Sequence, residues 1–516
     1  MAVTDKLEST SRNKRIAKNT IFLYFRMLFK MCVRLYTSRI MLDVLGLTDY
    51  GVYNVIGGLV GLFTVFSGSL SISISRFLAL LVGKNEKYQT HVVFCSSIIV
   101  LMAMAIFLAV SIDVTGLWFL ENKMVIPLER MSAAYWVLHF TALTFIIKLM
   151  SIPYNAMIIA HEKMSAFAYI SIIEIVLTLA ITYALYISPV DKLSLYAALI
   201  ALLSFGIRLV YLNYCHRHFD EARFEFILDK RQLKKMSEFI GWAFWGNSML
   251  IIRDHGTNIL LNVFCGPIVN AARGVAVHVD KAVYGFVTSF LMAVHPQITK
   301  SYSSGDLKRM HQLIIRSAKF AFFIMLLMVM PLYANIHYVL NLWLVDVPAH
   351  TESFVILILL YSLVNCFFHP LFVSILAQGD LRNYEIVYSV LLILNIAISF
   401  AILKNGMSPE WCFVGNIVIN IMVVIEQLYY TRLKIQFPII NFIKDNLVKT
   451  IPIFLLSLVF IYNAPVRNCD SFPIFIIDSF MIMAFIGICI ALFGITKSER
   501  LFVWNMIRMK LSYLNF

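Results

Sequence analysis

The sequence predicts an all-α, polytopic membrane protein of about 14 transmembrane helices, and three observations predict it. Of its 516 residues, 60% are hydrophobic and only 14% are charged, where soluble domains run near ~25% charged. The mean hydropathy is +0.81. Apolar runs of about 20 residues recur from end to end, each long enough to span ~30 Å of hydrocarbon.

The runs fall at residues 17–37, 51–75, 90–112, 131–155, 166–187, 194–212, 240–265, 268–294, 313–334, 353–375, 384–403, 410–430, 447–463 and 473–494. The first, seventh and eighth are interrupted by charge and score poorly on hydropathy alone. Residues 1–16 read as a polar, disordered cytoplasmic tail with no cleavable signal pattern. The eight cysteines show no CxxC and no pairing pattern, so they read as small buried hydrophobes without disulfides or metal.

Loop charge sets the orientation. With the N-terminus in the cytoplasm, the cytoplasmic segments hold 26 Lys and Arg and the outer loops hold six: Arg39, Lys123, Arg130, Lys192, Lys404 and Arg467. That bias is a positive-inside signal with both termini cytoplasmic. The net charge of +14 is then anchoring to anionic lipid on the inner face, and no nucleic-acid partner is implied.

An internal echo divides the chain. Leu45-Gly46-Leu47-Thr48-Asp49-Tyr50-Gly51-Val52-Tyr53-Asn54 opens the second run, and Phe264-Cys265-Gly266-Pro267-Ile268-Val269-Asn270-Ala271-Ala272-Arg273-Gly274 opens the eighth. Arg76-Phe77 before Gly83-Lys84-Asn85-Glu86 matches Gln297-Ile298 before Gly305-Asp306, at the same offset of about 220 residues. Six spans separate the pairs, so the halves insert in the same direction as a parallel repeat. The expected organisation is an N-lobe of spans 1–6 (17–212), a cytoplasmic linker (213–239), a C-lobe of spans 7–12 (240–430), spans 13–14 (447–494) and a cytoplasmic tail (495–516). Within the linker, Arg223-Phe224-Glu225-Phe226-Ile227-Leu228 reads as an interfacial amphipathic helix.

The remaining 11 Lys and Arg lie within or at the ends of the spans. A cation near the bilayer centre costs about 2.5–3.5 kcal/mol on insertion scales. Arg26, Lys30 and Arg34 fall on one stripe of span one; Lys148 lies in span four; Arg253 lies in span seven and Arg273 and Lys281 in span eight. The intramembrane acids are Glu174, Asp254, Asp280 and Asp478. Arg253-Asp254 and Asp280-Lys281 point about 100° apart on a helix, so pairing across helices is expected. Glu174, the lone acid of the first half, reads either as a proton relay or as a protonated hydrogen-bond donor. The interior keeps a surplus of positive charge, which suits an anionic cargo. No Walker A, GxGxxG, nucleophile elbow or HExxH is present, so no cofactor and no catalytic group are assigned. Any transport must draw on an ion, voltage or substrate gradient.

Asn19-Thr20-Ile21-Phe22-Leu23-Tyr24-Phe25-Arg26, Leu35-Tyr36-Thr37-Ser38-Arg39, the Leu45–Asn54 stretch continuing through Val55-Ile56-Gly57-Gly58, then Arg76-Phe77-Leu78 and Gly83-Lys84 resemble the N-terminal signature of Wzx-type polysaccharide flippases, the lipopolysaccharide biosynthesis proteins of the multidrug/oligosaccharidyl-lipid/polysaccharide exporter superfamily. The resemblance covers about residues 12–90. It implies a MATE-type fold of two six-helix lobes around a central cavity, with two further helices appended. It also implies an undecaprenyl-diphosphate-linked oligosaccharide as cargo (an O-antigen, capsule or exopolysaccharide repeat unit), a bacterial inner-membrane location, and a polysaccharide polymerase and chain-length regulator as partners. By location in that fold, Arg26, Lys30, Arg34, Arg76, Arg253, Arg273 and Lys281 are the candidates for the diphosphate. Trp242 and Trp245 are candidates for sugar contact, and Glu174, Asp254 and Asp280 for ion coupling. The alternatives are a multidrug exporter of the same fold and a polytopic envelope-synthesis enzyme, such as an acyltransferase using His278 or His295.

The loop bias is directly testable. Reporter fusions after Asp113, Lys192, Lys404 and Arg467 should read periplasmic, and fusions after Lys84, Lys235 and Arg500 cytoplasmic. A periplasmic C-terminus would overturn the count of fourteen.

Overall fold

The computed structural model describes residues 2–122, 126–227, 229–344, 346–463, 471–496 and 499, and gives the backbone alone for 2–18, 34, 35, 38, 42, 47, 267, 367 and 368. The described chain is helical with no strand. In order, the helices are α1 (Ala2–Gly61), α2 (Thr64–Gly83), α3 (Lys87–Asn122), α4 (Met131–Met150), α5 (Ile152–Ala160), α6 (Met164–Ala184), α7 (Lys192–His218) and α8 (Lys230–Ser303). Then follow α9 (Leu307–Ala334), α10 (Ile336–Trp343), α11 (Thr351–Gln378), α12 (Arg382–Lys404), α13 (Glu410–Ile435), α14 (Ile439–Phe442), α15 (Val448–Asn463) and α16 (Phe472–Cys489).

Two of these helices are too long to cross a membrane once. The 60 residues of α1 would reach about 90 Å if straight, and the 74 of α8 about 111 Å, against ~30 Å of hydrocarbon. Each breaks at a glycine: Gly46 (φ 74°, ψ 172°) in α1 and Gly266 (φ 83°, ψ 177°) in α8. That region of backbone space is essentially open to glycine alone. The chain then folds back. Arg273 Nη1 lies 3.0 Å from Asn258 Oδ1, whereas fifteen residues of straight helix would hold them about 22 Å apart.

Among the described residues, eleven helices are long and apolar enough to span a membrane, and the bent pair Thr351–Cys366 and His369–Gln378 makes twelve. The two predicted spans missing from that set, 17–37 and 240–265, are helical but lie in the charge-interrupted arms before the two glycine breaks. The protein is thus a multi-pass membrane protein, and fourteen remains an approximate count.

Three local expectations change. The polar residues 2–16 continue α1 as helix. Residues 223–227 form no helix, amphipathic or otherwise, and Leu228 lies outside the described residues. Here the backbone finds partners on α3 in place of its own helix: Ser96 Oγ donates to Ile227 O at 3.4 Å and Glu225 N to Cys95 Sγ at 3.3 Å. Finally, α3 runs on to Asn122, so the loop expected at 113–130 is mostly helix. The terminal tail beyond residue 496 lies outside the described residues, apart from Glu499.

Helix starts follow side-chain chemistry. The carboxylates of Asp191, Asp229 and Asp306 accept backbone N–H groups of the first turns of α7, α8 and α9, which supplies orphan donors with partners. Asn85 (φ 59°) and Gly305 (φ 76°) end α2 and α8 in the left-handed conformation that closes helices. These two positions also stand at the 220-residue offset, as do Gly46 and Gly266.

Residues cluster into two compact units. One holds Met1–Met249, Met292–Met310 and Leu376–Glu385; the other holds Leu250–Leu291, His311–Ile375 and Ile386–Phe516. The first is packed around Leu78, Val93, Phe94, Leu101, Leu108 and Met157. The second is packed around Leu261, Val287, Leu326, Phe354, Cys366 and Ile486.

The glycine breaks predict a stability cost of about 1–3 kcal/mol for Gly46→Ala and for Gly266→Ala, because alanine disfavours that conformation. Each should lower the midpoint of thermal unfolding in detergent. Gly57→Ala, in regular helix with open space beside it, should not.

Candidate functional site

In the first unit, Arg26 of α1 is half-buried with its guanidinium 4.5 Å from the Phe167 ring centroid, a favourable cation–π geometry. Lys30 is half-buried one turn on, and the side chain of Arg34 lies outside the described residues. Glu174 is not a lone acid: Lys148 Nζ from α4 stands 3.6 Å from its carboxylate. The sequence had placed both in the membrane without joining them. Trp242 is half-buried and Trp245 exposed.

Arg76 near the end of α2 is engaged with backbone. Its Nε donates to Leu376 O and its Nη2 to Ala377 O at 3.1 Å. The rings of Phe77 and Phe239 lie 4.8 and 4.6 Å from the guanidinium. A cation on the last carbonyls of a helix completes their hydrogen bonds and meets the negative end of the helix dipole.

The second unit holds a polar cluster. Arg253 Nη2 pairs with Asp254 Oδ1 at 2.8 Å and its Nη1 donates to Tyr361 Oη at 3.2 Å. The expected cross-helix pairing of Arg253 is therefore corrected: its long side chain curls back to the adjacent acid. Arg273, returning after Gly266, donates to Asn258 Oδ1 and, at 3.1 Å, to Asp254 O. Asp280 is half-buried and accepts from Ser362, while its Oδ1 has no hydrogen-bond partner among the described residues. Close by, Asn365 Nδ2 donates to Tyr284 Oη at 3.2 Å. Lys281 is exposed.

The sequence reading missed three acids. Glu162, at φ 60°, has a side chain 1% exposed and pairs with Lys300 Nζ at 2.7 Å. Gln297 Nε2 also donates to it, and its carbonyl accepts from Asn19 Nδ2 at 3.1 Å. Glu385 in the first turn of α12 is 3% exposed and packs on Gly246, where a Cβ would strike its carboxylate. Glu426 sits on α13. Glu162 was legible as the polar residue between two apolar runs, but a run-edge acid usually faces water; only the fold buries it. Next to it, burial pushes the His161 imidazole below its usual range, against the pull of Glu221 Oε1 at 3.0 Å. Among the described residues, no group of three or more His, Cys, Asp and Glu is arranged to hold a metal ion.

No protein-family model and no curated protein matches the sequence. Solved structures do match. A Vibrio cholerae MATE transporter, VcmN, superposes with a TM-score of 0.69 at 15% identity, covering 82% of this chain and 98% of the other. The fold is MATE-type. A MOP superfamily transporter from Pyrococcus furiosus, described by the reversed polarity of its binding pocket, gives a TM-score of 0.69 at 13% identity over 82% of this chain and 96% of its own. An outward-facing multidrug resistance MATE family transporter gives 0.66 at 14% identity over the same shares.

The cluster separates two kinds of cation. Arg273→Met should lower stability in detergent by at least about 1.5 kcal/mol, because two charge-assisted hydrogen bonds disappear. Lys281→Met, at an exposed side chain, should leave the unfolding midpoint unchanged.

Proposed function

We propose that the protein is an exporter that moves an undecaprenyl-diphosphate-linked oligosaccharide across the bacterial inner membrane by alternating access, with both termini cytoplasmic. The observation that carries this reading is the excess of cations over acids on membrane-crossing helices of a MATE-type fold. A diphosphate head group carries two to three negative charges, and its passage through bare hydrocarbon is prohibitive. Arginine binds phosphate bidentately through its planar fork of donors.

Arg26, Lys30 and Lys281 are the cations assigned to the head group. Arg34 and Arg253 are assigned beside them, and Trp242 and Trp245 to the sugars. Asp280 is the favoured ion-coupling acid, since Glu174 and Asp254 already face Lys148 and Arg253. A proton or sodium ion on Asp280 would alter the local charge in step with access. Membrane lipid, the polymerase and the chain-length regulator are the proposed partners.

The multidrug exporter is the second reading, and the multidrug resistance neighbour is the observation that favours it. The Pyrococcus furiosus neighbour is described by a binding pocket of reversed polarity that suggests a different function, and the cationic helices here favour an anionic cargo. The acyltransferase reading is weaker. It would use His278 or His295, and the sequence carries no catalytic motif around either.

Arg26→Ala and Lys281→Ala should each abolish surface polysaccharide while membrane insertion persists, and Arg26→Lys should be partly active because charge survives without the fork. In reconstituted vesicles, Asp280→Asn should lose the response to an imposed pH or sodium gradient, and Glu174→Gln should keep it. Wild-type export by both alanine variants, together with efflux of cationic drugs, would favour the second reading.

A further inference from the structure

The repeat brings its own equivalent positions into contact. Gly83 ends α2 and Ser303 ends α8, about 220 residues apart. A Cβ at Gly83 would strike Ser303 Oγ and lie 3.0 Å from Lys300 Cα, so the two equivalent helix ends touch. Contact between equivalent positions is what a two-fold relation produces at its axis, and reciprocal contacts are what it produces away from the axis. Both are present. Arg76 holds the carbonyls of Leu376 and Ala377. Gln297, its equivalent by the offset, holds the Glu162 carboxylate together with Lys300.

The receiving segments are equivalent as well. Pro153-Tyr154 through Ala160-His161-Glu162 matches Pro370-Leu371 through Ala377-Gln378-Gly379 at an offset of about 217 residues. Glu162 (φ 60°) and Gly379 (φ 87°) turn the backbone alike at the two breaks. Every residue in the contacts themselves belongs to the first compact unit. These contacts explain why Met292–Met310 and Leu376–Glu385 cluster with residues 1–249 and not with their sequence neighbours.

The two arms use different chemistry for one task. One is a buried ion pair with an amide donor. The other is a guanidinium on helix-terminal carbonyls, beside the rings of Phe77 and Phe239. Each arm joins a first-half segment to a second-half segment, and the helix ends between them meet where Gly83 lies against Ser303 and Lys300.

We propose that the two arms form one interlock that holds this end of the protein shut, and that its release is concerted. A movement that separates the first-half segments from the second-half segments breaks both arms at once. The loop charge bias makes this the cytoplasmic end. The interlock supplies the closed cytoplasmic gate that the exporter reading requires, and its contacts do not depend on which cargo is carried.

The test is amide hydrogen exchange on the full chain in lipid nanodiscs, read at residues 158–163 and 376–382, with 93–101 of α3 as the control. Exchange reports local opening. Arg76→Gln, and separately Glu162→Gln combined with Lys300→Met, should each raise exchange about tenfold or more at both reading segments and leave α3 unchanged. Gly83→Val, which spreads the contact without removing either arm, should do the same. The charge-reversed pair Glu162→Lys with Lys300→Glu should return both segments toward wild-type protection. A rise confined to the mutated arm, or wild-type exchange in Gly83→Val, overturns the interlock. No substrate enters this measurement, so a failed flipping assay and a failed interlock are separate results.

Discussion

A charged group on a membrane helix needs a partner, and that constraint organises the polar interior of this protein. Arg253 turns back on Asp254 and reaches Tyr361. Arg273 reaches across a helix reversal to Asn258. Arg76 takes helix-terminal carbonyls, and Lys148 takes Glu174. Lys319, 2% exposed in α9, takes Glu499 at 2.7 Å. Burial opposes the charge on Glu499, but Lys319 and the Thr496 N–H outweigh it and hold that carboxyl below its usual range. A buried pair is weak evidence for net stability but strong evidence for geometry, because losing one partner strands the other. These contacts therefore fix which helices lie side by side more than they deepen the fold.

The second organising element is backbone, not side chain. Gly46 and Gly266 hold a conformation that other residues avoid, and each breaks one long helix into two segments. Because the break is a single residue, the polar groups before and after it are brought together at once. Arg273 meeting Asn258 is the direct result. The first half has a related tie: Arg130 Nε donates to Asp49 Oδ1 at 2.7 Å just after Gly46, and its Nη2 meets Asp191 Oδ1 at 2.8 Å, where that acid caps α7. The same sharp reversal therefore sits beside an ionic tie in one half and a hydrogen-bonded network in the other.

The sequence by itself determined the class. Apolar runs long enough to span hydrocarbon left an all-helical membrane protein as the fitting architecture, since a helix satisfies its own backbone polar groups where no water can. It also located the repeat, because a residue that tolerates positive φ, glycine or asparagine, is required at a reversal and at a helix end and survives as a spacing. Gly46 with Gly266 and Asn85 with Gly305 carry that signal in the structure. The cations were visible for the same reason: charge in an apolar run stands out in composition.

Tertiary structure alone decided what each charge does. Arg76 and Arg26 look alike in sequence, yet one is bound to main-chain carbonyls and the other lies over an aromatic ring. Glu174 looked solitary until α4 brought Lys148 beside it. Glu162 and Lys300 are 138 positions apart, and nothing local in either stretch announces the other. Ion pairs and hydrogen bonds act over about 3 Å, while sequence patterning reports only which face of a helix is apolar. Partners are therefore chosen by how helices pack, and that choice became readable only once the chain was folded.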